Sequence, residues 1–448
     1  MAAQHLPRTL VVNFNAPELN QLALALAHAG RLERYVRPYV NKRRGWERLV
    51  AALPLAGGVY ASTFGRRLMD DPELARLTRE SGVLPDVLAA TVMRLGWLPD
   101  AMRRSWTNDL IKLLRESVAS SAARLAGQAE CVVAYEGFAL PAFAARRADG
   151  RAGCVLNYPV AHHRVRRRER LEEIERQPRF ASTWPDFDDW PAGHEQRLDA
   201  EIELADVVLV GSTYAADTFV DEGVARARMK VIPYGVDLQT FTPAGDGDRE
   251  THAGVGFEAI FTGQMTQRKG LSYLLEGWRR FARPGTRLTI VGQPVGDPAV
   301  LAPHADLFRH IPHQTRAELA RHYRSADVFV FPTLVEGMPL VVLEAMACGL
   351  PVIVTRNGPA DIVRDGVDGF VVPARDPDAI AARLETLYHD PALREQMGRN
   401  ASQRAAEFGW SAYADKALAC LAESCRPIAP PAPERTEPLM PSGAVPAP

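Results

Sequence analysis

Short apolar runs alternate with helix-patterned stretches along this chain, and that alternation limits what it can fold into more than any other feature. In the second half FEAIFTG (257–263) precedes LSYLLEGWRRFA (271–282), and TRLTIVG (286–292), ADVFVFPT (326–333) and LPVIVT (350–355) follow. LVVLEAMACG (340–349) and PDAIAARLETLY (377–388) carry helical spacing. The first half repeats the scheme with RTLVVNFN (8–15), LNQLALALAHAG (19–30), CVVAYE (131–136), GCVLNYPV (153–160) and ADVVLVGS (205–212). Runs of four to eight residues that are apolar on both faces, separated by helices, describe parallel strands covered on both sides. The expectation is α/β, with two such units in 448 residues.

The hydrophobic fraction of 47% supplies ample core and excludes global disorder. A formal net charge of −1 argues against a dedicated nucleic-acid binder. That balance hides a split: residues 1–180 carry +10 and residues 181–448 carry −11. The expected organisation is a first domain over 1–241, a Gly/Asp-rich linker over 242–257 and a second domain over 258–409. A last helix over 410–425 is expected to pack back towards the first domain, and a Pro-rich tail over 426–448 to lie outside the fold. Five cysteines without metal spacing read as reduced thiols in a cytosolic protein. No signal peptide or membrane span is apparent. The stretch 31–67 carries nine Lys+Arg against Glu33 and Glu47, interleaved with Tyr35, Tyr39 and Trp46. It is expected either to lie on an anionic membrane surface or to form a solvated face over a packed stripe.

The segment 329–369 carries the most chemistry. A strand ends near Pro332, Glu336 and Gly337 follow, Pro339 suits a first helical turn, and Gly349 suits the position just past the helix end. The amides of Gly337, Met338 and Leu340 then point out of the carboxyl edge of a parallel sheet, where negative charge is favoured. Glu336 and Glu344 are placed to accept hydrogen bonds from sugar or ribose hydroxyls. A second constellation runs from Gly263 and Gln264 to Arg268, Lys269 and Gly270, directly after a strand. Gly263 permits close backbone approach, and Arg268 and Lys269 can neutralise a diphosphate.

With these residues in view, the chain resembles the retaining glycosyltransferases of family 4, within the GT-B superfamily. Glu336 and Glu344 match that family's Glu-x7-Glu motif, Lys269-Gly270 its Lys-Gly, and VIPYGVDLQTFTP (231–243) its entry to the second domain. The likeness is strong over about 200–410 and weak over 1–200. It implies two Rossmann-like parallel-sheet domains facing a central cleft. It implies a hexosyltransferase acting from a nucleotide-diphosphate sugar onto a glycan or lipid-linked hydroxyl, in surface polysaccharide or glycoconjugate biosynthesis. Lys269 and its basic neighbour would stabilise the leaving diphosphate, Glu344 would hold the ribose, and Glu336 with the amides of 337–340 would hold the sugar. No metal or other cofactor is expected, and the location implied is cytoplasmic, possibly at the inner face of the membrane.

Two departures stand out. Gln264 occupies the place of a family arginine, and the loop after the first strand, VVNFNAPELNQ, lacks the expected glycine pair. The family's first-domain histidine is matched only loosely, by His162 or His163. Arg164, Arg166, Arg167, Arg168 and Arg170 have acidic partners at helical spacing and read as a charged surface helix. A nucleotide-sugar epimerase or hydrolase and a non-catalytic sugar-nucleotide-binding subunit are the rival readings. A dinucleotide oxidoreductase is disfavoured, since no G-x-G-x-x-G follows the first strand.

Overall fold

The computed structural model describes residues 6–52, 60, 64, 67–93, 98–184, 193–245 and 255–425. Part of the 242–257 linker, the acidic stretch PDFDDW (185–190) and the Pro-rich tail lie outside the described residues.

Two parallel sheets organise the chain. The first contains β1 (Thr9–Val12), β2 (Leu32–Arg37), β3 (Thr78–Glu80), β4 (Cys131–Tyr135), β5 (Cys154–Asn157), β6 (Val207–Val210) and β7 (Met229–Val231), in the order β3-β2-β1-β4-β5-β6-β7. The second contains β8 (Phe257–Thr262), β9 (Thr286–Val291), β10 (Arg309–Ile311), β11 (Val328–Phe331), β12 (Val352–Thr355) and β13 (Gly369–Val372), in the order β10-β9-β8-β11-β12-β13. Each sheet reverses strand order once, between β1 and β4 and between β8 and β11. Open α/β sheets bind ligands at such a point, outside the carboxyl ends of the strands. The strands β1, β6, β8, β11 and β12 are buried at every residue, which is why they read as unbroken apolar runs. This is the expected α/β architecture of two domains across a cleft.

The helix after β11 spans Leu340–Ala347, with Pro339 as its N-cap rather than in its first turn. Proline is pre-set for helical φ at that boundary, and here its carbonyl accepts from the Val342 amide at 3.2 Å. Gly349 follows the C-cap Cys348 at φ 84°, as its spacing requires. The helix Trp410–Ser424 packs on the helix Pro17–His28 of the first domain. Its approach is fixed by a hydrogen bond from the Val236 amide to the Phe408 carbonyl at 2.8 Å. The cysteines are free thiols, four buried and Cys425 partly so.

The basic stretch 31–67 is divided: Arg34, Arg43 and Arg48 are exposed, and other members turn inward. Tyr35 and Tyr39 are core residues. Buried Arg37 donates to Asn20 Oδ1 at 2.8 Å, and Lys42 Nζ to the Ala75 and Thr78 carbonyls at 2.8 and 3.1 Å. Arg44 pairs with Glu47 and Glu80, and Arg67 with Asp86. Those tyrosines and these cations therefore do not form a basic-aromatic outer face. The Trp46 side chain and residues 53, 55 and 66 of that stretch lie outside what is described. Exposed apolar side chains include Leu49 in this stretch, Leu84 and Leu88 on the helix Val83–Val92, and Met102, Trp106 and Leu113 on the helix Asp100–Ala126.

Candidate active site

The candidate donor site is built from the loops that leave β8, β11 and β12, neighbours at the centre of the second sheet. Hydrogen bonds stitch the loops together. The Arg268 carbonyl accepts from the Leu334 amide at 2.8 Å and from Thr333 Oγ1 at 3.2 Å. Asn357 Nδ2 donates to the Leu334 carbonyl at 2.6 Å. Gly270 has φ 73°, and a Cβ there would stand 2.0 Å from the Pro332 carbonyl oxygen, so only glycine lets the two loops meet.

Three of the residues singled out from sequence converge. Arg268 Nη1 lies 2.9 Å from Glu336 Oε1 and donates to the Val335 carbonyl at 2.8 Å. Lys269 Nζ lies 4.0 Å from the same Glu336 oxygen and 5.2 Å from the centre of the Phe331 ring. Burial pulls the Lys269 ammonium pKa below its ordinary value, opposed by Glu336 and aided by Arg268. Two cations therefore share one carboxylate in a confined space, an arrangement that a second anion would complete. The amides of Gly337 and Met338, next to Glu336, make no hydrogen bond among the described residues.

Glu344 sits one turn into the helix, 3.9 Å from Arg316 Nη2. Burial pushes its carboxyl up to about 7, with Arg316 lowering it and Asp237 raising it. Met338 is committed elsewhere: its sulfur accepts from the Tyr234 amide at 3.0 Å, on the segment that leads out of the first domain. Leu340 opens the helix half-buried, and Gln264 is exposed.

Residues 256–390 match the family described as glycosyl transferases group 1. This part of the chain is similar to that family. Its glycosyltransferase resemblance extends to curated relatives named D-inositol 3-phosphate glycosyltransferase. The one from Kineococcus radiotolerans is 34% identical over 261 residues, 51% of this chain and 59% of the relative. The one from Paenarthrobacter aurescens is 38% identical over 219 residues, 45% and 54%. The chain thus spans little more than half the length of these relatives. Among solved structures, sucrose-phosphate synthase from Thermosynechococcus elongatus superposes with a TM-score of 0.60 at 18% identity, covering 91% of this chain and 96% of that one. HepE of Anabaena in complex with UDP gives 0.58 at 14% identity, covering 93% and 99%. The fold is GT-B.

In the first domain His162 and His163 stand side by side. His162 caps the helix His163–Arg176: its Nδ1 accepts from the Arg164 amide at 3.2 Å and its own amide donates to Thr218 Oγ1 at 2.9 Å. His163 lies 3.2 Å from Asp199 and 3.3 Å from the Tyr158 hydroxyl. The two rings stack at 4.2 Å, and burial lowers both to about 3, so both are neutral at pH 7. Their partners are first-domain groups, and neither histidine joins Lys269 and Glu336. With Asp199 they form a trio whose ligand atoms lie within 4.8 Å, although Arg164 already holds the other Asp199 oxygen at 2.7 Å.

The segment just before the histidines does reach the donor site. A Cβ on Gly337 would stand 1.8 Å from the Pro159 carbonyl oxygen, so the loop after β5 rests on the backbone beside Glu336. Further ties cross the cleft. Arg375 reaches Glu169 and Glu173 at 2.6 and 2.8 Å, and Gln267 Nε2 donates to Glu173 at 2.7 Å. The acids of the charged helix therefore hold the second domain as well as neighbouring arginines.

Sequence reasoning passed over Glu18. It is buried in the first turn of the helix after β1 and accepts from Asn157 Nδ2 at 2.9 Å, and burial raises its carboxyl. The loop before it, which lacks the glycine pair, is closed by Asn13: its Oδ1 accepts from the Ala16 amide at 2.8 Å and its Nδ2 donates to the Tyr35 hydroxyl at 2.7 Å. An acid at the first turn, straight after Pro17, was the available signal.

Proposed function

We propose that this protein is a retaining hexosyltransferase that takes its sugar from a nucleotide-diphosphate donor and delivers it to a hydroxyl of a glycan or lipid-linked acceptor. The observation that carries the reading is the convergence of Arg268 and Lys269 on Glu336 beside the open amides of Gly337 and Met338. A diphosphate entering here competes with Glu336 for the two cations and releases that carboxylate to accept hydroxyls of the sugar. Glu344, one turn further on, is the group for the ribose. The bond from the anomeric carbon to the diphosphate oxygen breaks as Lys269 and Arg268 take up the developing charge. The acceptor oxygen bonds to the same face of the sugar, and a departing phosphate oxygen takes its proton.

A UDP donor is the first choice to test, because neighbouring folds hold UDP and UDP-glucose. A place in surface polysaccharide or glycoconjugate assembly fits a lipid-linked acceptor. Among the described residues no helix is long and apolar enough to cross a membrane. Contact with a membrane surface would use the exposed side chains of Leu84, Leu88, Met102, Trp106 and Leu113, together with Arg43, Arg48 and Leu49.

The test is Lys269→Met assayed against UDP-, GDP- and ADP-sugars. A productive donor should raise the unfolding temperature of the wild type, and the variant should lose that rise together with about 10²–10³ of kcat. Wild-type turnover in Lys269→Met removes the residue from the site. Free sugar or an isomer formed at full rate without acceptor selects the hydrolase or epimerase reading.

A further inference from the structure

A second polar cavity opens in the first domain, away from Lys269 and Glu336. It has a volume of about 380 Å³ and is lined by Lys112, Arg115 and Glu116 of the helix Asp100–Ala126, and by His194 and Arg197 of the helix His194–Leu204. Leu140, at the start of the helix that follows β4, completes it on the side of the sheet's carboxyl edge.

The charges of this cavity do not balance. Arg115 and Arg197 form no ion pair with a carboxylate among the described residues, and the Nε atoms of both are buried without a hydrogen-bond partner. Arg115 Nη1 instead donates to His194 Nδ1 at 3.1 Å. That ring is neutral, lowered to about 3 by burial and then by Arg115 and Arg197. Burial and the nearby Arg197 also pull the Arg115 guanidinium below its ordinary value, opposed by Glu201, Glu136 and Glu116. The acid that reaches inward, Glu201, is occupied: it accepts from the amides of Gly137, Ala139 and Leu140 at 2.6, 2.9 and 3.0 Å. Glu116 is exposed at the rim. Two neighbouring guanidiniums and an ammonium stand against the exposed Glu116, while Glu201 and Glu136, which also act on Arg115, are held by backbone amides and by Arg166; the arrangement suits an anion. The forked donors of arginine suit tetrahedral phosphate oxygens best.

We propose that the cavity lined by Lys112, Arg115, His194 and Arg197 binds a phosphate group carried by the acceptor. This rests on the glycosyltransferase reading for the word acceptor, while the anion site stands on its own geometry. The helix that supplies Lys112 and Arg115 also exposes Trp106 and Leu113. Trp106 and Lys112 are six residues apart, roughly 9 Å along the axis. An apolar chain attached to the phosphate therefore has exposed side chains to follow within a short distance of the cavity.

The probe is inorganic phosphate, titrated by calorimetry and by thermal unfolding in the presence of saturating UDP, which fills the donor site. The wild type should bind phosphate saturably, and Arg115→Met/Arg197→Met should weaken that binding tenfold or more. Arg197→Gln, on a half-exposed position that is safer for folding, should weaken it in the same direction. Lys269→Met should keep the phosphate response while losing the UDP response. Failure of UDP to bind would strike the donor reading and leave the phosphate arm intact. Vesicles of phosphatidic acid in phosphatidylcholine, against phosphatidylcholine alone, separate the two sources: retention that soluble phosphate competes away assigns a lipid phosphate, and its absence a soluble one. No phosphate binding by the wild type, or equal binding by the double variant, overturns the proposal.

Discussion

The Lys269 ammonium occupies the space that a side chain at Gly263 would fill: a Cβ built there stands 2.6 Å from Nζ. Gly263 has φ 129°, a backbone conformation essentially reserved for glycine. Gly263→Ala therefore strains the loop and pushes the cation off Glu336. A stability loss of about 1–3 kcal/mol is expected in chemical denaturation. The fall in kcat/KM for the donor should be larger than that loss of stability explains. Unchanged donor kinetics would show that Lys269 has no need of that space.

Gly337 makes a different kind of contact. Its hydrogen faces the Pro159 carbonyl oxygen, a backbone atom that cannot swing aside, and a methyl group would overlap it at 1.8 Å. Gly337→Ala should hold the domains apart. Small-angle scattering should report a larger radius of gyration, and turnover should fall even if donor binding persists. A wild-type radius with wild-type turnover would mean the approach is not used.

Glu344 should shape the pH dependence of stability. Its folded carboxyl is raised to about 7 by burial, so between about 4.5 and 7 the native state holds a proton that the unfolded state releases. Stability from this group is present at low pH and is lost as pH rises through 7. Glu344→Gln removes that loss. The melting temperature of the variant relative to wild type should therefore increase from pH 5 to pH 8, and a flat difference would refute the raised carboxyl.

Arg375 joins the domains through Glu169 and Glu173, and Glu173 is buried. Arg375→Met leaves Glu173 with neutral partners only, Gln267 and the Tyr273 hydroxyl. Breaking such a pair costs about 3 kcal/mol when the remaining charge stays buried. Calorimetry should show a lower midpoint and a separation of the two domains' transitions. A single transition at the wild-type midpoint would show that the ion pairs do not couple them.

Most of the fold was legible in the chain. Strands such as β8 and β11 are buried on both faces, so their composition alone marks them. Gly349 stops its helix by a local rule that spacing exposes. The helices Val83–Val92 and Asp100–Ala126 were not seen, because apolar residues stand on their outer faces as well as their inner ones and blur the helical period. Glu18 escaped for another reason: one acid at a helix start is ordinary until tertiary structure seals it.

The sequence by itself determined the alternation that makes two parallel sheets. It also placed Lys269, Glu336 and Glu344 at strand ends and helix starts. Those properties depend on periods and boundaries within a dozen residues. Only the tertiary structure decided which partners these groups take. It set Arg268 and Lys269 on Glu336 across more than sixty residues of chain. It stacked His162 and His163 inside the first domain, and within the basic stretch it turned Tyr35, Arg37 and Lys42 inward while leaving Arg43, Arg48 and Leu49 exposed. Spacing along a chain carries no information about such pairings. They follow from which loops the sheet order brings together, and from the cost of leaving a buried charge or hydrogen-bonding group without a partner.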